Sequence, residues 1–340
     1  MAKALFESKG IVMKRINNLY DQICSLDNLY LAYSKARKGK GRTYGVVSFE
    51  SNLIENINTL YTELLNETYK TSEYDTVTIY EPKERLIFRL PFRDRVIHHA
   101  IMNILEHIWV SVFITNTYSC IKTRGIHGVL KHLKRDLNDI SGTQYCLKLD
   151  LKKFYPSIDH AIMKNIIRKK IKDVKLLNLL DGIIDSAPGL PIGNYLSQFL
   201  ANLYLSYFDH WIKEEKQIKY YYRYADDIVI LHSDKQYLHS LFDEIRHYLN
   251  ANLRLQIKGN YQVFPVDARG IDFIGYVFRH KRIFMRKSIK VRLCKQAAKL
   301  NKKNISMKEY KQKISSRLGW AKHCDSDVLL RKIIKYEEIC

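Results

Sequence analysis

Asp226 and Asp227 stand side by side in the stretch YYRYADDIVI, residues 221–230, between Tyr220–Tyr224 and the apolar run Ile228–Leu231. Aromatic and β-branched flanks favour strand on both sides, so the pair is expected at the tip of a tight hairpin. Two like charges roughly 4 Å apart repel by about 4 kcal/mol at a near-surface effective dielectric. A cation shared between them removes that cost. A third carboxylate, Asp150, lies about 75 residues earlier at the polar edge of another expected strand. Carboxylates converging from two strands are hard oxygen donors. They suit Mg²⁺, which dehydrates reluctantly and takes phosphate as co-ligand. Two such ions about 3.5–4 Å apart can activate a 3′-hydroxyl and stabilise a leaving pyrophosphate. Asp-Asp in isolation is also a common solvated turn, so the surrounding chain must decide.

The elements that would position these groups can be read from periodicity. Residues 145–151 alternate: Tyr145, Leu147, Leu149 and Leu151 fall on one face, Cys146, Lys148 and Asp150 on the other. A helix is expected from about Asp159, with Ile158, Ile162 and Ile166 in register, and another over 195–211 on Leu196, Leu200, Leu203, Tyr207 and Trp211. Leu238, Leu241, Ile245 and Leu249 predict a helix after the hairpin, and 253–265 and 271–285 read as extended. Upstream, 45–70 is expected to be helical on Leu53, Ile57, Leu60, Leu64 and Leu65, 77–90 extended and 94–113 helical, while KARKGKGRT (35–43) reads as a basic loop. The tail is expected to be helical, opened by a capping box at Ser306-Met-Lys-Glu309.

Composition narrows the partner. The 340 residues carry 57 Lys+Arg against 35 Asp+Glu, a net +22, which argues against small neutral substrates and for a polyanion, with nucleic acid ahead of an anionic membrane surface. Residues 281–340 alone hold 18 Lys+Arg against 5 Asp+Glu, so the excess is concentrated in the tail, as in a nucleic-acid-gripping module. No apolar run approaches 18 residues and the start lacks a signal-peptide core, so a cytoplasmic protein without membrane association is expected. Six scattered cysteines form no C-x-x-C and suggest reduced thiols.

Several stretches together resemble the reverse transcriptases. Tyr224-Ala225-Asp226-Asp227 resembles their YADD motif, KLDLKKFYPSID (148–159) the preceding palm motif, and GLPIGNYLSQFLANLYL (189–205) the motif between them. ERLIFRLPFRDRVIHHAI (84–101) and RGIH (124–127) resemble the fingers motifs, RGIDFIGYVF (269–278) the primer grip, and SSRLGWAKH (315–323) the thumb helix. The match runs in order over roughly 40–325. It implies an α/β (α+β) right-hand polymerase: an N-terminal helical extension and fingers over 1–75, fingers over 76–145, palm over 146–280 with fingers helices interleaved at about 160–190, and a helical thumb over 281–340. Where most bacterial members carry Q-G-x-x-x-S-P, this chain has Ile192-Gly193-Asn194-Tyr195-Leu196-Ser197-Gln198. That form resembles the enzymes of diversity-generating retroelements. They copy a template-repeat RNA with errors at adenines and work with a small basic oligomeric accessory protein. The alternatives are a retron, abortive-infection or group II intron-like enzyme, or a non-catalytic RNA-binding scaffold on the same fold.

The resemblance also implies roles. Asp150, Asp226 and Asp227 would bind two Mg²⁺ ions, with Mn²⁺ as a possible substitute, and Lys258 would serve as general acid for pyrophosphate. Lys83 and Arg85 would clamp the deoxynucleoside triphosphate. Tyr155 would exclude a ribose 2′-hydroxyl. Gly193 would admit the nascent base pair, Gln198 would bond the template nucleotide or backbone, and Ile192, lacking an amide, would loosen the check on adenine templates. The expected macromolecular partners are the template RNA and the RNA/cDNA duplex. Arg93 and Arg95 would brace a helix or touch template backbone, and His98, His99 and His127 read as packing rather than metal ligands.

Overall fold

The computed structural model describes residues 15–80 and 84–336. The chain forms two compact units, one from Met1–Thr115, Leu151–Lys216 and Arg246–Gln256, the other from Asn116–Asp150, Gln217–Ile245 and Ile257–Cys340.

The first unit is mostly helical. Helix Phe92–Val110 is buried over most of its circumference, including Ile97, Ile101, Leu105 and Trp109, as its largely apolar sequence requires. The stretch expected to be one helix over 45–70 is two, Tyr44–Glu50 and Leu53–Leu65. Ser51-Asn52 interrupts them; their short polar side chains compete for backbone hydrogen bonds. Leu65 does not join the stripe and is 51% exposed. The basic segment at 35–43 is a loop only after Arg37, because helix Leu26–Arg37 takes its first three residues. Strands β1 (Asp75–Ile79) and β2 (Arg85–Arg89) form an antiparallel hairpin. Asp159 caps helix His160–Arg168 by accepting from the Ile162 N–H at 3.0 Å. The helix expected over 195–211 is divided into Tyr195–Tyr204 and Ser206–His210, followed by a π-turn at Trp211–Glu215.

The second unit is built on a four-stranded antiparallel sheet. Its strands are β3 (Tyr145–Asp150), β4 (Tyr220–Tyr224), β5 (Asp227–His232) and β6 (Gln262–Pro265), in the order β4-β5-β3-β6. Because β3 is internal, both its faces are buried: Cys146 is as inaccessible as Leu147, and only the far end of its second face remains polar. A second sheet of three short strands follows, β7 (Ile271–Phe273), β8 (Tyr276–Phe278) and β9 (Ile283–Met285). The extended stretches expected at 253–265 and 271–285 are therefore shorter than their patterns suggest; helix Lys235–Leu253 runs to the start of the first. Three helices close the unit, Lys287–Asn301, Met307–Ala321 and Asp327–Ile333. Ser306 caps the second by accepting from the Glu309 N–H. One apolar core joins Cys146, Tyr222 and Val229 of the first sheet to Phe273 and Tyr276 of the second and to Leu293, Ile314 and Leu330 of the helices.

Gly275, at φ +92°, turns β7 into β8 directly against Trp320; an added Cβ would lie 2.5 Å from the indole and 2.9 Å from Ile289. Backbone strain and overpacking then add. Gly275→Ala is expected to destabilise this unit by about 2–4 kcal/mol, read as a lower urea midpoint at unchanged m-value. A midpoint equal to the parent's would show that Trp320 yields freely.

Candidate active site

The register of the first sheet sets the carboxylates opposite each other. Asp150, the last residue of β3, pairs with Asp227, the first of β5, just as Lys148 pairs with Val229 and Cys146 with Leu231. These residues share one face, so the polar pair continues the row that is apolar deeper in the sheet. Tyr224 pairs with Asp227, leaving only Ala225 and Asp226 in the turn. The two aspartates thus differ: Asp226 is at the tip, Asp227 already belongs to the strand. Ala225 takes φ +54°, which a residue with a Cβ adopts only where its surroundings impose it.

Burial with only partial neutralisation marks the group. Asp150 Oδ1 and Asp227 Oδ1 are inaccessible and have no hydrogen-bond partner. Burial pushes the Asp227 carboxyl up to about 7, against the pull of Lys148, with Asp150 and Asp226 adding repulsion. Asp226 is raised as well, first by burial and then by Asp150. Cations partly balance the charge. Lys258 Nζ lies 2.5 Å from Asp150 Oδ2, and its backbone N–H donates to the Asp150 carbonyl at 2.9 Å. Lys148 Nζ is 3.8 Å from Asp227 Oδ1 and also donates to the Asp272 carbonyl; Arg286 Nε bonds Asp272 Oδ1 at 2.6 Å.

Among the described residues, no three His, Cys, Asp or Glu side chains converge into a ready-made metal cage. The donors present still suit a hard divalent ion. Two orphaned carboxylate oxygens with Asp226 beside them are the partial set that Mg²⁺ accepts when water and substrate phosphate supply the rest. His98 and His99 are held down to about 4 by burial, and His99 stacks on Tyr195, so both are packing residues.

The residues expected to meet the nucleotide gather in the first unit. The Phe88 N–H on β2 donates to the Ile192 carbonyl at 2.8 Å, and the Leu190 N–H to the Tyr155 carbonyl at 2.9 Å. Segment 189–194 is therefore sewn to both β2 and Tyr155. Gly193, at φ +122°, lies so close to β2 that an added Cβ would come 2.5 Å from the Phe88 carbonyl. Its small size serves this backbone approach. Tyr155 is half-buried in a short 3₁₀ turn with its ring against Phe154. Gln198 is exposed on helix Tyr195–Tyr204, and Arg85 is exposed at the start of β2. Lys83 lies outside the described residues. Arg93 is ion-paired with Glu63, a helix-bracing role.

Two residues escaped the motif reading. Lys148 shares the face of Asp150, a relation already present in the strand alternation. Arg223 sits fully buried in β4, with its Nη1 donating to the Ala225 carbonyl at 3.2 Å. A charged residue inside an otherwise aromatic strand was the available signal. Its bond braces the turn that carries Asp226. Arg223→Met is expected to lower the rate of any reaction at Asp226 by about 10–10²-fold and to raise the Mg²⁺ concentration for half-activity, with Lys restoring part of each. An unchanged Mg²⁺ dependence would reduce Arg223 to a packing residue.

Residues 76–278 match the family model described as "Reverse transcriptase (RNA-dependent DNA polymerase)". Over 235 residues the chain is 25% identical to Protein YkfC of Escherichia coli, covering 56% of this chain and 62% of that protein. Over 215 residues it is 27% identical to the group II intron-encoded protein LtrA of Lactococcus lactis, covering 58% and 35%. The chain thus spans less than two thirds of each. Among solved structures, apo telomerase from Candida tropicalis superposes with a TM-score of 0.51 at 12% identity, over 78% of this chain and 59% of that one. That likeness shows the fold, the right-hand polymerase fold.

Proposed function

The chain belongs to the reverse transcriptase family, and from that premise we propose that it makes DNA on an RNA template by divalent-metal-assisted nucleotidyl transfer. The observation that carries this is the facing pair Asp150 and Asp227, each with a buried oxygen lacking any hydrogen-bond partner, beside Asp226. Asp150, Asp226 and Asp227 would hold Mg²⁺, or Mn²⁺ in its place, and the metal would supply charge neutralisation of phosphate and acidification of a 3′-hydroxyl. Lys258 balances Asp150 and would pass a proton to the leaving pyrophosphate. Arg85, with Lys83, draws the triphosphate to β2, and Tyr155, held by the Leu190 N–H, sets sugar preference. In this reading residues 1–145 serve mainly as fingers, 146–280 as palm and 281–340 as thumb.

The finer assignment is to a diversity-generating retroelement, with the template-repeat RNA as template and a small basic accessory protein as partner. Its support is Ile192 and Gln198 in the middle motif. The similarity to a group II intron-encoded protein favours a second reading, an accurate intron-like enzyme.

The test is RNA-templated synthesis with and without Mg²⁺ and with a candidate accessory protein, followed by sequencing of each cDNA. Product that needs the metal and carries errors at template adenines is expected. Accurate product would keep the polymerase and select the intron-like reading. Ile192→Gln is expected to cut adenine misincorporation several-fold, by restoring two donors and an acceptor near the new pair; an unchanged adenine error would remove Ile192 from the explanation.

A further inference from the structure

A second basic feature lies in the unit that holds the carboxylates, remote from them. A cavity of about 790 Å³ opens between helix Gly125–Asp136, the β8–β9 turn and the end of helix Met307–Ala321. Six cations line it: Lys131, Lys134, Arg279, Lys281, Arg282 and Lys322. All six are exposed, and the nearby Asp267, which feels the charge of Arg279, is held by His280. Asp325 is the one acid among the described lining residues, and its carboxylate is occupied by the Ile283 N–H at 2.8 Å. His127 and His323 add a pair of rings 4.5 Å apart.

Strand geometry separates this place from the metal-binding end. His280, on the cavity lining, is fixed to the turn just before β3 by its Nε2 contact with Thr143 Oγ1 at 3.0 Å, while its Nδ1 meets Asp267. Asp150 ends that strand, five residues after its first residue, Tyr145. At about 3.3 Å per residue the strand alone separates its two ends by about 17 Å.

Six cations clustered around one lining carboxylate repel one another in the bare protein, so their clustering favours a polyanion. The cavity is too large for one phosphate. Of the aliphatic side chains on its lining, Leu130, Leu137 and Ile283 are buried and Ile140 alone is exposed, while six cations face solvent. That balance favours nucleic acid over an acidic protein segment, since protein interfaces rely on exposed aromatic and aliphatic anchors while nucleic-acid interfaces are wetter and more cationic. We infer that this cavity grips the phosphodiester backbone of single-stranded RNA outside the stretch being copied, a binding site separate from the carboxylate centre. The inference rests on the reading of RNA as template, but it concerns association, not synthesis.

The test compares the full chain with a Lys131→Ala, Lys134→Ala, Lys281→Ala, Arg282→Ala variant by fluorescence anisotropy. The probes are a short primed RNA template and the same template with a 30-nucleotide single-stranded RNA extension. Binding of the extended RNA is expected to weaken at least tenfold near physiological salt. The slope of log Kd against log salt should fall by about 0.7 for each phosphate that the variant no longer neutralises. Binding and extension of the short template should be unchanged. Exchanging the four positions between Lys and Arg should restore the extended-RNA affinity, which separates missing charge from misfolding. Parental affinity and slope for the extended RNA would overturn the inference. So would equal weakening on both probes, which would make the cavity part of the template channel, or loss of poly-glutamate binding with RNA binding intact. Since Asp226→Asn protein can be used for every binding measurement, failure of polymerisation would leave the result readable.

Discussion

Asp226→Asn is expected to leave a folded protein that makes no measurable DNA. The fall in rate should be at least about 10³-fold, equivalent to about 4 kcal/mol of transition-state stabilisation. The fold should survive because the charge does not hold it together. Burial and Asp150 both disfavour the ionised Asp226, so in the metal-free protein an amide is no worse a neighbour than a carboxylate. What the amide loses is the anionic oxygen that a hard cation requires. The measurement is primer extension at saturating Mg²⁺ beside a thermal unfolding curve. Activity above a tenth of the parent's, at unchanged unfolding midpoint, would mean that Asp226 is not a metal ligand and that the facing pair Asp150 and Asp227 suffices.

Tyr155→Val is expected to change which sugar is accepted. The parent should prefer deoxynucleotides, and the variant should raise kcat/KM for ribonucleotides by about 10²-fold, or about 2.7 kcal/mol, while deoxynucleotide incorporation drops less than tenfold. The reason lies in the backbone as much as in the ring. The Tyr155 carbonyl is held by the Leu190 N–H, in the same segment whose Ile192 carbonyl accepts from Phe88 on β2. The ring therefore stands on an anchored main chain, and shortening it opens space without moving its support. Single-nucleotide incorporation with matched dNTP and rNTP decides the matter. An unchanged ratio would make Tyr155 a packing residue against Phe154.

The sequence revealed the carboxylate hairpin because its signal is local: aromatic and β-branched flanks around two polar residues leave few other conformations. It revealed the partnership of Asp150 with Asp227 only through motif resemblance, since strand pairing across 77 positions has no local mark. Buried orphan oxygens on that pair were beyond reach, because they depend on which lysine finds which carboxylate. Lys148 was legible as a neighbour of Asp150 by alternation, yet its bond to the Asp272 carbonyl required the second sheet. The errors in the helices have local causes. Ser51-Asn52 divides one apolar stripe, and a hydrophobic period alone does not register that break. Likewise Leu203 and Tyr207 keep the helical period across the break at Leu205, and Trp211 fits it although a π-turn begins there.

The order in which the segments are made bears on how the protein is born. Each compact unit draws on three separated stretches of chain, and the core beneath the carboxylates needs both β3 and the helix ending at Ile333. During synthesis at roughly 5–20 residues per second, β3 waits about 10–40 s on the ribosome for those last partners. Through that interval Cys146, Val229 and Phe273 lack much of their final cover, and long-range pairings of this kind close slowly. Slower elongation after residue 150 prolongs exposure of an aggregation-prone sheet, so recombinant yield should respond to codon choice and chaperone supply well before it responds to changes at the exposed basic surface.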